Sequence, residues 1–554
     1  MIKGLYPIRI QIKTFECELV FLCDLRSPVS KDWLLAVKTI SSFLILSFLL
    51  LFGCTSRPER IPGFLYLRLS SDITTLDPAM IVDVAGGSVA AKIFNGLVRF
   101  EEGSRIVPDL AEGFSISEDG RTYRFRLRKG VRFHNGREFK AKDIKYSFER
   151  VLSPETRSSR TWLFDRISGA REFMTGAAPD VKGIRALDEY TVEIEIMEPF
   201  GPFLSLLAMP PAYIVPVGAA GREFSSNPIG TGPFSLKEWR RGRELILSSN
   251  VDYFSEKAEI KGLVYRIIPE ELTTIAEFES GNLDVMGVPS TEFRRYSESS
   301  RWSGQVQKSL GLNIFYLGFN CQKAPFNDRR VRQALNYAID RERILKTILE
   351  GRGELATGPI PHLLLQSGNK GYRYDPDKAR ALLKESDLEN KLKFRIYQTP
   401  DQDTVDIMEV VQQYLKGIGV EAEIVQLEWS AFKDAINKGE ADSFWLSWRA
   451  DYPDPENFLF PVFHSSNWGS AGNRARFKDY EIDRLIEEAQ VEPDEKKRTA
   501  TYMETERLVI EEAPWLFFWH KNEYIVHQPW VKGVKAYSIY NADKGTGVLL
   551  SEKR

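Results

Sequence analysis

A chain of 554 residues is too long for one compact core and points to two or three domains. Its 75 basic and 77 acidic residues balance, so neither nucleic acid nor an anionic membrane surface is implied as a partner. Aromatic residues make up 12%, which suits large cores or a lined binding cleft.

In chain order, the first element is the apolar run Ile40–Cys54, ISSFLILSFLLLFGC, preceded by Lys31 and Lys38. It ends Leu51-Phe52-Gly53-Cys54 and resembles the lipobox of bacterial lipoproteins. The resemblance implies cleavage before Cys54, diacylglycerol on its sulfur, and a mature domain held at a membrane surface. A transmembrane anchor is the competing reading, but the run falls short of the roughly 18–20 apolar residues of a good span. Residues 1–53 are then a signal peptide. Its first 30 residues are long and mixed in charge for that purpose, which points to a true start further downstream. Residues 54–63 form a short polar tether. Of the four cysteines only Cys54 and Cys321 survive processing, and lipid occupies the first, so no structural disulfide is expected.

Strand signals follow. Thr122–Arg128 alternates strictly, with Tyr123, Phe125 and Leu127 on one face and basic groups on the other, and Thr191–Ile196 does the same. These suit antiparallel sheets with one wet face. A helix is predicted at Ala141–Leu152, with Ile144, Phe148 and Val151 at core spacing. After about residue 313 the texture changes. Asn327-Asp328 caps a helix carrying Val331, Ala334, Leu335, Ala338 and Ile339, and Asp375-Pro376 opens another. Strand Lys393–Tyr397, helix Thr404–Lys416 stopped by Gly417, strand Glu421–Glu428, helix Ser430–Lys438 stopped by Gly439 and strand Ser443–Trp448 then read as βαβαβ, a parallel sheet in an α/β domain.

Ligands of open α/β sheets bind beyond the carboxyl ends of the strands. Here that end reads Ser447-Trp448-Arg449-Ala450-Asp451-Tyr452-Pro453-Asp454-Pro455. Two prolines stiffen a loop in which carboxylates sit beside aromatic rings. A fixed carboxylate in a partly dry aromatic pocket suits an ammonium group, and the faces of Trp448 and Tyr452 offer cation–π attraction. Two alternatives stand at this point. Asp451 and Asp454 could simply cap the next turn, or the carboxylates could bind Ca²⁺, although EF-hand spacing is absent.

Five motifs in order resemble the dipeptide/oligopeptide-binding family, the extracytoplasmic solute-binding proteins of peptide ABC transporters. They are Leu76-Asp77-Pro78-Ala79 with Ile93–Val98; Leu110-Ala111-Glu112 with Asp119–Gly136; Asn227–Phe234 with Leu236 and Trp239; Phe319-Asn320 with Pro325–Leu335; and Trp448–Pro455. The resemblance implies an α/β, two-lobed periplasmic-binding-protein-like fold with a β-rich extra subdomain in the first lobe and the ligand in the cleft between the lobes. The first lobe is expected at 64–312 plus 522–554, with 97–227 as the inserted subdomain, and the second at 313–521. By the same resemblance Asp451 holds a peptide's α-ammonium, with Trp448 and Tyr452 beside it, and the peptide backbone is bound as an added strand. The implied partners are a peptide and the permease subunits of an ABC transporter. The protein is expected to be a lipid-anchored monomer on the periplasmic or cell-surface side of the cytoplasmic membrane, with no cofactor and no metal. The groups that hold the peptide's carboxylate are not assigned.

Other motifs have structural readings. The glycines of Gly230-Thr231-Gly232-Pro233 suit a tight turn, since no Gly-Lys-Ser/Thr follows to make a phosphate loop. His134 reads as a hairpin-end residue. A secreted enzyme is disfavoured: there is no Gly-x-Ser-x-Gly or His-Glu-x-x-His, and the five histidines (134, 362, 464, 520 and 527) are scattered. Other ligands on the same fold remain open: an oligosaccharide stacked on Trp445, Trp448 or Trp468, a nickel chelate, haem or an opine. So does presentation of the ligand to a sensor rather than a permease.

Overall fold

The computed structural model describes residues 60–551 apart from 104 and 222. Cys54 and the apolar run before it therefore lie outside the described residues. From Pro62 onward the chain is one contact unit.

Four sheets of three or more strands organise it. The first joins Phe64–Leu69, Gly262–Ile267, Glu244–Ser249 and Phe234–Arg240 in that order, with the first pair parallel and the others antiparallel. The helix Val84–Ile93 packs against it, capped by Asp83, whose carboxylate accepts the Gly86 N–H at 2.7 Å. The Gly230–Gly232 segment crosses that helix's end, and here the tight-turn reading needs correcting. Neither glycine has positive φ. A Cβ at Gly230 would lie 2.0 Å from the Ile93 carbonyl oxygen, so glycine is required by close backbone approach. His134 packs on the same segment, with its backbone N–H on the Gly230 carbonyl at 2.8 Å and its Nε2 on the Gly232 carbonyl at 3.0 Å.

The second sheet is antiparallel, in the order Ala111–Ile116, Thr122–Leu127, Thr191–Glu195, Ile184–Asp188. Tyr123, Phe125 and Leu127 face the core, as the alternation requires, together with Ile144, Phe148 and Val151 of the helix Ala141–Leu152. On the wet face Arg124 pairs with Glu193 at 2.6 Å.

The third sheet, Val285–Gly287, Glu523–His527 and Val306–Ser309, lies where the chain crosses to and from the fourth. The fourth has six strands in the order Gly353–Leu355, Trp515–Lys521, Asn313–Phe319, Ser443–Arg449, Lys393–Gln398, Glu421–Gln426. Its last three are parallel, as βαβαβ predicts, with helices Gln402–Gly417 and Trp429–Lys438 between them. The whole sheet is mixed, however. Asn313–Phe319 runs antiparallel to both of its neighbours, because it arrives directly from a crossover and not through a crossover helix. Asp328 and Asp375 cap their helices as expected, and Gly439 closes its helix with φ of +75°. Gly417 stays inside its helix, and the left-handed turn falls at Gly419, φ +79°.

Asn313 fastens the two crossovers together. Its side-chain amide donates to the Lys521 carbonyl at 2.9 Å, and its side-chain oxygen accepts the Lys521 N–H at 2.8 Å. Gly311 sits so close that a Cβ would lie 1.9 Å from the same carbonyl.

Candidate functional site

The Ser443–Arg449 strand delivers its loop to the boundary between the fourth sheet and the rest of the molecule. The Ala450 N–H bonds the Leu312 carbonyl at 3.0 Å. Asn457 then holds the loop from within. Its side-chain oxygen accepts the Asp451 N–H at 2.9 Å, and its carbonyl accepts the Trp448 indole N–H at 2.7 Å. Asp454 caps the short helix Pro455–Phe458, accepting the Glu456 N–H at 2.9 Å. The capping reading is therefore right for Asp454, while Asp451 caps nothing.

Among the described residues no hydrogen bond or ion pair engages the Asp451 carboxylate. It opens on a cavity of about 390 Å³ whose opposite walls carry Ile81–Val84, Arg160, Met209–Pro211 and Tyr537–Tyr540. Asp451 presents accessible surface to this cavity, yet the walls displace enough water to push its carboxyl up from the usual range, while Arg160 pulls it down. Arg160 is held by the carbonyls of Val82 at 2.8 Å and Ile81 at 3.3 Å. Asp83, also on the wall, is spent as a helix cap. A fixed carboxylate with no ionic partner, facing a partly dry cavity, can receive a cationic hydrogen-bond donor.

The structure does not place Trp448 and Tyr452 on this wall. Beyond the strand end successive residues point opposite ways. Tyr452 is 5% exposed, lies 6.4 Å from Trp162 in the core, and donates its hydroxyl to Glu456. Trp448 packs on the fourth sheet's core. Arg449 of the same strand also lines the cavity, paired with Glu523 at 2.6 Å, and across it stand the rings of Tyr537 and Tyr540 and the guanidinium of Arg160. No local signal marked these three, because they meet Asp451 only through long-range folding. Behind the loop, burial pushes the Glu456 carboxyl up to about 7, and Gln490 donates to it at 2.7 Å.

Two smaller cavities lie along the same end of the sheet. One of about 330 Å³ shares Arg449 and Glu523 with the first and adds Ser290, Arg352 and Lys521. A recess of about 110 Å³ shares Arg352 and Lys521 and is lined by Phe315, Trp445 and Trp519. A larger cavity, about 690 Å³, lies between the first sheet and the 533–548 segment and shares Tyr537 with the first. Its buried cations are already engaged, Lys92 by Asp543 at 2.7 Å and Lys544 by the Phe94 carbonyl at 2.8 Å.

Residues 105–470 match the family described as bacterial extracellular solute-binding proteins, family 5 middle. The chain belongs to that family. It is 31% identical over 475 residues to the dipeptide-binding protein of Escherichia coli K12, covering 81% of this chain and 86% of that one. It is 30% identical over 499 residues to heme-binding protein A of Haemophilus influenzae, covering 85% and 90%. Among solved structures, the periplasmic binding protein DppA from Helicobacter pylori in complex with the peptide STSA superposes with a TM-score of 0.69 at 30% identity, covering 88% of this chain and 98% of that one. The fold is the two-lobed α/β fold of periplasmic binding proteins. Among the described residues no helix is long and apolar enough to cross a membrane.

Near its end, the Trp515–Lys521 strand carries a buried histidine. The ring of His520 is buried, and its Nδ1–H donates to the Asn313 carbonyl at 2.6 Å. Burial moves its pKa from 6.5 down to about 4. The folded state thus prefers the neutral ring. This contribution to stability is complete above pH 6.5 and declines as pH falls towards 4. Nitrogen NMR of the imidazole at pH 5.5 is expected to show a neutral ring, and a midpoint near 6.5 would contradict the buried, carbonyl-bonded geometry.

Proposed function

We propose that this protein captures short peptides outside the cytoplasmic membrane and delivers them to an ABC permease, with no enzymatic step of its own. The observation that carries this reading is the Asp451 carboxylate, unpaired on a backbone-locked loop and facing a cavity between the two lobes. It is matched to a peptide's α-ammonium. The relative named for dipeptides and the solved complex with STSA support a peptide over other solutes. The lobes divide at the crossovers clipped by Asn313, giving 64–312 plus 522–554, with 97–227 inserted, and 313–521. The cleft closes by a hinge motion there. Native mass spectrometry of the purified protein, followed by calorimetry of the peptides it carries, tests the reading. Free-amine peptides are expected to bind and their N-acetylated forms to bind poorly. Equal binding of the two forms would move haem, metal chelates or sugars to the front.

The mature chain begins at Cys54 and is held at the membrane by lipid. Labelled palmitate is expected to enter the wild type and not the Cys54→Ser variant, which should remain uncleaved or be released. Wild-type protein that takes up no label removes the anchor.

A further inference from the structure

The loop behind Asp451 forms a second contact across the molecule. Tyr452 packs in the core of the inserted residues 97–227, its ring centroid 6.4 Å from that of Trp162. Behind the same loop stand helices Tyr480–Val491 and Glu495–Glu512. The seam between these helices and the inserted residues is close-fitting. The Gly201 N–H donates to the Gln490 carbonyl at 2.8 Å. A Cβ at Gly201 would lie 2.0 Å from the Arg498 guanidinium, and one at Gly120 would lie 3.1 Å from Pro493.

Two carboxyl groups are shut into this seam. Asp454 is 7% and Glu456 2% exposed, and among the described residues neither has a cation within ion-pair distance. On their own loop, Tyr452 donates its hydroxyl to Glu456, and Asp454 accepts the Glu456 N–H at 2.9 Å. Helix Tyr480–Val491 contributes Gln490, which donates to Glu456 at 2.7 Å. From helix Glu495–Glu512, Arg498 acts on Asp454, and the Tyr502 hydroxyl is buried without a hydrogen-bond partner. From the inserted residues, Arg166 acts on Glu456 while its guanidinium lies 4.1 Å over the Phe200 ring, and Tyr123 faces Arg498. Burial opposes ionisation of both carboxyls, and the charge of Asp454 adds to that opposition at Glu456. A dry seam with two adjacent carboxylates and no paired cation is costly unless one of them is protonated.

We infer that this seam is a proton-linked latch: the inserted residues dock on the loop and its two helices while the Asp454–Glu456 pair holds a proton, and the contact loosens when both groups are ionised. Parting the seam returns the carboxyls to water. Glu456 then falls from about 7 to its ordinary 4.5, so parting releases a proton between those values. Docking is therefore strongest below 4.5, weakens by up to about tenfold per pH unit towards 7, and above 7 no longer depends on Glu456. The proposed hinge motion carries residues 313–521 against the inserted residues, so peptide capture takes up the same proton. That consequence rests on the reading above, whereas the latch is tested with no peptide present.

The test is hydrogen exchange of the ligand-free protein, resolved to single amides by mass spectrometry and corrected for the intrinsic effect of pH. The Gly201 amide, which bridges the seam, should be about tenfold better protected at pH 6 than at pH 8. The Ile214 amide, bonded to the Asn95 carbonyl at 2.9 Å without crossing the seam, should not follow it. Glu456→Gln, an isostere of the protonated carboxyl, should hold Gly201 at the pH 6 level at both pH values. Asp454→Asn keeps a helix cap but removes the neighbouring charge, and should shrink the difference. Equal protection of wild-type Gly201 at the two pH values overturns the latch. So does the same change at Ile214, or a difference that survives in full in either variant.

Discussion

Asp451→Asn is expected to weaken binding of free-amine peptides by roughly two to three orders of magnitude while leaving the fold intact. Three features combine to give so large an effect. The backbone of residue 451 is fixed by Asn457 at 2.9 Å, so the carboxylate is positioned before a ligand arrives. It has no ionic partner to surrender. Closure over the cavity removes water, so a ligand ammonium facing an amide is left as a buried charge without its counter-ion, at a cost on the order of 3–5 kcal/mol. The fold should be indifferent to the change, because no hydrogen bond or ion pair of the described structure uses the side chain. Calorimetry on the wild type and variant, with thermal melts alongside, checks both halves. An unchanged affinity, or a variant that loses affinity only by unfolding, would count against the assignment.

The second large effect is on stability. Trp515→Ala is expected to cost roughly 3–5 kcal/mol in denaturant unfolding. Trp515 is 1% exposed in the interior of the six-stranded sheet. It stacks on Tyr316 with ring centroids 3.5 Å apart and planes 9° apart, and it touches Phe463 at 4.4 Å. Removing it leaves a cavity bounded by two aromatic rings that belong to different elements and cannot collapse together. Trp515→Phe should recover more than half of the loss. It keeps an aromatic partner for Tyr316 and removes an indole N–H that has no hydrogen-bond partner among the described residues. A phenylalanine variant as unstable as the alanine one would show that the indole's shape, and not aromatic filling, is what the core requires.

Much of this was legible in the chain because it depends on neighbours in sequence. The alternation of Thr122–Leu127, the caps at Asp328 and Asp375 and the βαβαβ order over Lys393–Arg449 each follow from a few adjacent residues. So did the place of Asp451, since a strand's carboxyl end is set by the strand itself. What departs from local expectation has a common origin. Gly230 and Gly232 suit a turn by local sequence, but the helix 137 or more residues away requires them, because its terminal carbonyl leaves no room for a Cβ. The βαβαβ strands are parallel as their order requires, and the sheet as a whole is mixed because Asn313–Phe319, arriving from a crossover, runs antiparallel to both of its neighbours.

Sequence alone determined the family, the secondary elements of the second lobe and the carboxylate at the end of the Ser443–Arg449 strand, because periodicity, caps and motif order are local properties. Tertiary structure decided what that carboxylate faces. It turned Tyr452 into the core and brought Arg160, Tyr537 and Tyr540 to the wall. It also set Lys521 beside Arg352 across neighbouring strands. A charge's worth depends on the water and counter-charges around it, and those are supplied by residues far away in the chain.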